Sequence, residues 1–188
     1  MNEVSKRPLP AINDLYADVE QAAKNNDLNI LLNQPPKAEW IKQNKFAGNT
    51  NYIPIEKVEY LLTAIYQNWK VEIRDTTVIA NSIVVTVRLH VQNPINQEWD
   101  WQDGIGASPI QTEKGAAATD FTKVNTSAVQ MAAPAAESYA IKDAAEKLGK
   151  VFGKDINRKD VIDILPTMFN KQDKLNAKLK LLKQSENV

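Results

Sequence analysis

Cysteine is absent from this chain and histidine occurs once, at His90. Thiol chemistry, disulfides and the usual Cys/His zinc sites are thereby excluded. Charge of one sign is missing too: 23 Lys and Arg stand against 23 Asp and Glu, a formal net charge of zero. No whole-protein field draws a polyanion, so any basic surface has to be local. Long hydrophobic runs are also lacking. The strongest aliphatic run is Ile83-Val84-Val85, against the ~20 apolar residues that span a bilayer. The opening residues, MNEVSKRPLPAIND, carry no apolar signal core. The chain is expected to be soluble and cytoplasmic, not secreted, with no membrane partner.

What is present is globular in kind. With 188 residues, 43% hydrophobic and 24% charged, the chain suits one main domain with terminal extensions. Residues 1–36 read as a helical N-terminal arm. Pro8 and Pro10 delay its order, and Asn13 or Asp14 can cap a short helix carrying Leu15, Val19, Ala22 and Ala23 that ends near Asn25-Asn26. A second helical piece, Leu28 to Leu32, runs into Pro35-Pro36, which marks the domain border.

Residues 37–165 read as the core domain. A helical turn over Ala38 to Lys45 holds Trp40, and a Gly/Asn-rich loop follows over Phe46 to Asn51. Pro54 then opens a helix in which Ile55, Val58, Leu61, Leu62 and Ile65 recur at helical spacing. From Trp69 the period changes to two, with Trp69, Val71 and Ile73 alternating against Lys70, Glu72 and Arg74. After a turn at Ala80-Asn81, Ile83, Val85, Val87, Leu89 and Val91 form the cleanest strand pattern of the chain. Asn93-Pro94-Ile95-Asn96 turns the chain again, and Glu98 to Asp103 alternates with Trp99 and Trp101 on one face.

The result is an α+β fold: an antiparallel meander of three or slightly more strands with one apolar face. Each such side chain left wet would cost roughly 1.5 to 3 kcal/mol, so the face needs a cover. Pro134 to Lys154 supplies it as an amphipathic helix stopped at Phe152-Gly153. At about 100° per residue, Ile141, Ala144, Ala145, Leu148 and Phe152 share one side, and Lys147, Lys150 and Lys154 gather on the other. Those lysines fit a polyanion; they equally fit ordinary helix ion pairs, since Asp143 precedes Lys147 by four and Glu146 precedes Lys150 by four. Gly104 to Ala133, between sheet and helix, reads as a flexible finger or as a short helix around Ala116 to Lys123 framed by loops. Asp160 to Leu165 makes a short helix before Pro166. Residues 166–188 form a basic helical tail with Leu175, Leu179 and Leu182 on one face, suited to a partner, an anionic surface or DNA, or simply to solubility.

Several motifs fail on chemistry. Gly149-Lys150-Val151-Phe152-Gly153-Lys154-Asp155 suggests a phosphate loop, but its glycines are one residue too close and Asp155 stands where Ser or Thr must reach magnesium. Asp100 and Asp103 as metal-holding carboxylates point to opposite faces of a strand. His90 has no nucleophile to serve and is expected to be solvated or paired with a neighbour. Trp40, near Lys42 and Lys45, is the one tryptophan kept as a stacking candidate. No cofactor is called for.

In order, Tyr52-Ile53, the helix with Val58 and Leu61, Trp69 leading a strand, the strand Val84 to Val91, Gly104-Ile105-Gly106, and Ala144 through Lys147-Leu148 to Lys150 and Phe152-Gly153 make a pattern. It resembles the annealing domain of the Rad-fifty-two family of single-strand annealing proteins, phage relatives included, over about residues 40 to 156. The resemblance implies protomers that assemble into rings or filaments and hold single-stranded DNA in a basic groove between the sheet region and a lower helical part. It places Lys147 and Lys150 in that groove, with Tyr52, loosely Lys42 or Lys45, and Lys154 as an addition of our own. It also implies a bacterial or phage-infected cell, and partners such as a single-strand-binding protein or an exonuclease. Two departures stand out: Glu146 occupies a position the family commonly keeps basic, and Gly104 to Pro134 is longer and poorer in lysine than the family's segment.

The expected function is thus ATP-independent binding of single-stranded DNA and annealing of complementary strands in recombination and repair, with no chemical step. A neutral protomer with one basic track can associate without self-repulsion, so a homo-oligomer held partly by sheet edges and the terminal arms is expected. The alternative is a protein-binding scaffold module whose basic helix contacts an acidic partner. A metal-dependent nuclease using Asp100 or Asp103 is a third and weaker reading.

Overall fold

The computed structural model describes residues 19–45, 48–117 and 119–158. The expected helix Asp160 to Leu165, the basic tail and the cap at Asn13 or Asp14 lie outside them. One compact unit spans Ala23–Asn157; a second comprises Met1–Ala22 and Arg158–Val188, of which only Val19–Ala22 and Arg158 are described.

Helix α1, Val19–Leu32, is continuous through Asn25-Asn26, where the sequence predicts a break. Asn26 is buried within it. Leu32, at its end, is 8% exposed and belongs to the core. It lies so close to Gly149 that a Cβ there would fall against the Leu32 carbonyl and 2.9 Å from the Leu32 Cβ. The compact unit therefore takes in Ala23–Leu32 of α1 rather than beginning at the Pro35-Pro36 pair.

A short 3-10 turn, Ala38–Trp40, leads into strand β1, Lys42–Asn44, which pairs antiparallel with β2, Thr50–Tyr52. The sequence predicts a turn and a loop here. Strands of three residues are too short to display a period of two. Helix α2, Ile55–Tyr66, follows Pro54, buries Val58, Leu61, Leu62 and Tyr66, and stops at Gln67, whose φ of 61° is left-handed. The Trp69 indole N–H donates to the Thr63 hydroxyl at 3.0 Å, tying the next strand to this helix.

Strands β3 (Trp69–Ile79), β4 (Ser82–Gln92) and β5 (Trp99–Pro109) form the antiparallel meander, in the order β3-β4-β5. Alternation holds along all of β4: Ile83, Val85, Val87, Leu89 and Val91 are buried and their neighbours are not. A bulge at Arg74 in β3 resets the register between Ile73 and Asp75, keeping Trp69, Val71, Ile73, Thr76 and Val78 opposite the buried set of β4. Trp99 and Trp101 pair with Gln92 and His90. They therefore stand on the outer face, away from the core.

On the inner face of β5 the register puts Gly104, Gly106 and Ser108 opposite Val87, Val85 and Ile83. Helix α3, Ala128–Glu146, lies over this strip and over β4 with Ala132, Ala136, Ala140 and Ala144 toward the sheet. Small residues on both sides bring main chain to main chain. A Cβ at Gly104 would fall against the Ala140 carbonyl oxygen and 2.5 Å from the Ala144 nitrogen; one at Gly106 would fall against the Ala136 carbonyl and 2.8 Å from the Tyr139 carbonyl carbon.

The three-stranded meander under a long helix is the predicted α+β arrangement, but the end of β5 and both ends of the long helix differ. The Gly104-Ile105-Gly106 element lies inside β5 instead of after it. Helix α3 begins at Ala128, carries Pro134 in its interior and ends at Glu146, with Phe121–Lys123 as a 3-10 turn before it. Lys147 caps α3, Lys150 sits in a third 3-10 turn, Lys150–Phe152, and Gly153 closes that turn in the left-handed region at φ 104°. Val151 and Phe152 are thereby returned to the core.

Candidate nucleic-acid interface

The hairpin β1–β2 and the C-terminal half of α3 line a groove of about 400 Å³, bounded by Asn44, Thr50, Tyr52, Tyr139, Lys142, Asp143 and Glu146. On α3, Tyr139, Lys142 and Glu146 follow at spacings of three and four and so share a face. Ile141 and Ala145, buried, lie on another. The Lys142 ammonium sits 5.0 Å from the Tyr52 ring centroid and 4.4 Å from that of Tyr139. Two aromatic rings from separate elements thus hold one cation, a geometry of electrostatic attraction to the ring faces.

Burial sets the ionisation of the groove. It lowers the Lys142 pKa below the ordinary lysine value, with Glu146 and Glu56 opposing the shift. Burial likewise raises the Glu146 carboxyl above the ordinary glutamate value, with Asp143 adding to the rise and Lys142 and Lys147 opposing it. Both shifts are those of charged groups drawn partly out of water.

Lys147 has a structural engagement. Its ammonium donates to the Asp103 carbonyl oxygen of β5 and to the Asp143 carboxylate, the latter at 3.1 Å. Asp143 also accepts from the Ile105 backbone N–H at 3.1 Å. Helix side chains thus satisfy edge groups of β5 that no strand pairs. The expected Asp143–Lys147 ion pair is present.

The predicted residues separate accordingly. Tyr52 lines the groove. Lys42 stands directly opposite it in the hairpin, exposed, with its ammonium 3.9 Å from Glu56. Lys45 is exposed in the hairpin turn, and Lys147 lies one residue past the groove-lining Glu146. Lys147, Lys150 and Lys154 do not form the predicted helical arc, because α3 ends at Glu146 and the chain passes through the extended Gly149 and the left-handed Gly153. The sequence reading missed Lys142 and Tyr139. Their spacing of three was visible; the Tyr52 ring that completes the cage comes from a different element.

The outer sheet face carries a second polar and aromatic group. Arg88 makes a bidentate pair with Asp103 at 2.7 and 2.8 Å and lies 3.8 Å from the Trp101 ring centroid. Lys70 lies 5.1 Å from the Trp99 ring. His90 pairs with Glu72 across strands at 3.3 Å. Asp100 pairs in register with Val91 and Asp103 with Arg88, so the two carboxylates do fall on opposite faces.

No family model matches this chain, and no curated protein matches it. Among the described residues, no helix is long and apolar enough to cross a membrane.

Proposed function

We propose that this chain binds single-stranded DNA in the groove between the β1–β2 hairpin and α3, and that it anneals complementary strands without ATP. One observation carries the reading: Lys142 is held between the Tyr52 and Tyr139 rings in an open groove. A cation set beside aromatic faces meets both needs of a single strand, a counter-charge for the phosphate and a surface for the base. The resemblance to the Rad-fifty-two family adds support at Tyr52; the Lys147 and Lys150 it also selects follow α3 and lie outside the groove lining. In this reading base pairing supplies all the specificity, protomers assemble into a ring or filament, and a single-strand-binding protein or an exonuclease supplies or prepares the DNA.

Asp143 and Glu146 temper the electrostatics. They balance Lys142 and Lys147 locally, so stacking carries more of the affinity than in a wholly basic groove. Fluorescence anisotropy with a labelled oligo-dT tests the site. Base–aromatic stacking is worth about 1–3 kcal/mol per base, so Tyr52→Ala is expected to weaken binding roughly 5- to 150-fold. Lys142→Ala is expected to reduce the salt dependence as well. Unchanged affinity in both variants refutes the groove. An annealing assay with complementary oligonucleotides, run without nucleotide, checks the activity.

A second reading, a protein-binding scaffold module, is favoured by the outer sheet face, where Trp99, Trp101 and Ile105 are 49%, 48% and 60% exposed. It predicts no affinity for random single-stranded oligonucleotides at low salt.

A further inference from the structure

Beside the groove lies a second cluster of aromatic and cationic side chains that the groove does not use. Trp40 ends the 3-10 turn before β1. The Lys37 ammonium lies 4.9 Å from its ring centroid and the Lys57 ammonium 5.8 Å. Tyr60 meets the ring edge-on, at 5.9 Å between centroids and 85° between planes. Trp40 is half-buried with its body against the core, whereas Tyr60 is 60% exposed. Tyr60 lies on the side of α2 away from the buried Val58, Leu61 and Leu62.

The two lysines differ from four other cations of the structure. Lys42 has Glu56, Lys147 has Asp143, Arg74 has Glu72 and Arg88 has Asp103. Among the described residues, neither Lys37 nor Lys57 has a carboxylate within ion-pair distance; the Trp40 ring is their neighbour. A cation resting on a half-buried ring keeps its charge available to a phosphate, since the ring neutralises nothing.

Position links this cluster to the groove. Ile41 is extended, with φ −78° and ψ 122°, so Trp40 stands about two extended residues, roughly 7 Å, from Lys42. Lys42 faces Tyr52 across the hairpin and lies 3.9 Å from Glu56 of α2, and Tyr60, one turn further along that helix, meets Trp40. The groove's Tyr52 and the Trp40–Tyr60 cluster are thus joined through Lys42 and α2.

We propose that Trp40 and Tyr60, flanked by Lys37 and Lys57, form a second nucleotide-binding subsite, where single-stranded DNA leaving the groove stacks a base and places its phosphates on the two lysines. This inference rests on the groove reading and extends the bound strand beyond it. It takes any base, because every base has a face to stack.

The test uses the full chain and labelled oligo-dT in two lengths, one just long enough to fill the groove and one several nucleotides longer. Tyr60→Ala removes an exposed ring without touching the core, and Lys37→Ala with Lys57→Ala removes the charges. Each is expected to weaken binding of the long oligonucleotide at least about 5-fold and to leave the short one unchanged. The lysine pair should also lower the slope of log affinity against log salt by about 0.7 for each phosphate no longer neutralised. Trp40→Phe is expected to keep most of the affinity that Trp40→Ala loses. If Tyr52→Ala weakens binding while the Tyr60 and lysine variants match the parent at both lengths, the subsite is refuted and the groove stands. If the parent binds neither oligonucleotide, the groove reading fails and the subsite fails with it.

Discussion

Replacing Gly104 by alanine tests the close approach on which the whole arrangement of sheet and helix depends. The added Cβ would meet the Ala140 carbonyl oxygen, the Ala144 nitrogen at 2.5 Å and the Ala144 Cβ at 2.8 Å. Two of these three are main-chain atoms of α3, so no rotamer change relieves them. The helix itself has to lift from β5. Lifting it opens the Ala136, Ala140 and Ala144 strip, all fully buried. Overpacking in a core costs typically 1–3 kcal/mol and sometimes more. With main chain as the obstacle we expect about 3 kcal/mol, which for a chain of this size lowers Tm by about 6–12 °C. Thermal unfolding followed by circular dichroism measures it. Ala107→Val is the control, since Ala107 is an exposed β5 residue, and its effect is expected within about 0.5 kcal/mol. Adding Ala144→Gly to Gly104→Ala relieves only the clash with the Ala144 Cβ and is not expected to restore stability. A Gly104→Ala protein that melts within about 2 °C of the parent refutes the close approach of α3 to β5.

Three further outcomes follow from the packing and the ionisable groups. Phe152 is 1% exposed, so Phe152→Ala is expected to cost about 3–5 kcal/mol, read as a lower urea midpoint; a loss under about 1 kcal/mol contradicts its place in the core. Hydrogen bonding to Arg88 holds the Asp103 carboxyl below its ordinary value of 3.8. That stability is present above pH 3.8 and lost as pH falls through the lower folded value, so Asp103→Asn should be less stable than the parent at neutral pH, with the gap closing in acid. A gap constant with pH tells against the pair. Burial, then Asp143, raises the Glu146 carboxyl above 4.5, so its ionisation works against folding: stability is highest below pH 4.5 and declines as pH rises through the folded value. Glu146→Gln should therefore be the more stable protein at pH 8, lose that advantage below pH 4.5, and bind oligo-dT more tightly at pH 8 than the parent. Equal or weaker DNA binding by Glu146→Gln counts against a phosphate in the groove.

The sequence disclosed the parts of this fold whose pattern repeats. β4 alternates without interruption because one face is wholly buried, and α2 places Val58, Leu61 and Leu62 at helical spacing for the same reason. The second half of β5 was hidden. Gly104, Gly106, Ala107 and Ser108 have little intrinsic strand preference, and they are in the sheet because α3 needs bare backbone beneath it. Pro134 misled in the opposite direction: proline suits the first turn of a helix, yet α3 runs through it from Ala128. The lysine arc fails because of the same helix, read eight residues too far at Lys147 to Lys154. Of the candidate groove, Tyr52 was legible by resemblance. Tyr139 and Lys142 carry no such signal, because what distinguishes them is a ring supplied from eighty-seven residues upstream of Tyr139, at Tyr52.

The Lys147 and Asp143 side chains have a consequence for how copies of this protein join. A sheet that runs unbroken through successive subunits has to use both of its borders on every subunit, each border offering N–H and C=O groups alike. Here the β5 carbonyl at Asp103 and the N–H at Ile105 already bond to Lys147 and Asp143, so that border is closed in the middle. Only the β3 border has no such bolt among the described residues. A subunit with a single usable border cannot propagate a sheet head to tail; two such borders meeting terminate each other. Sheet pairing between copies through these two borders is therefore limited to a single β3-to-β3 junction.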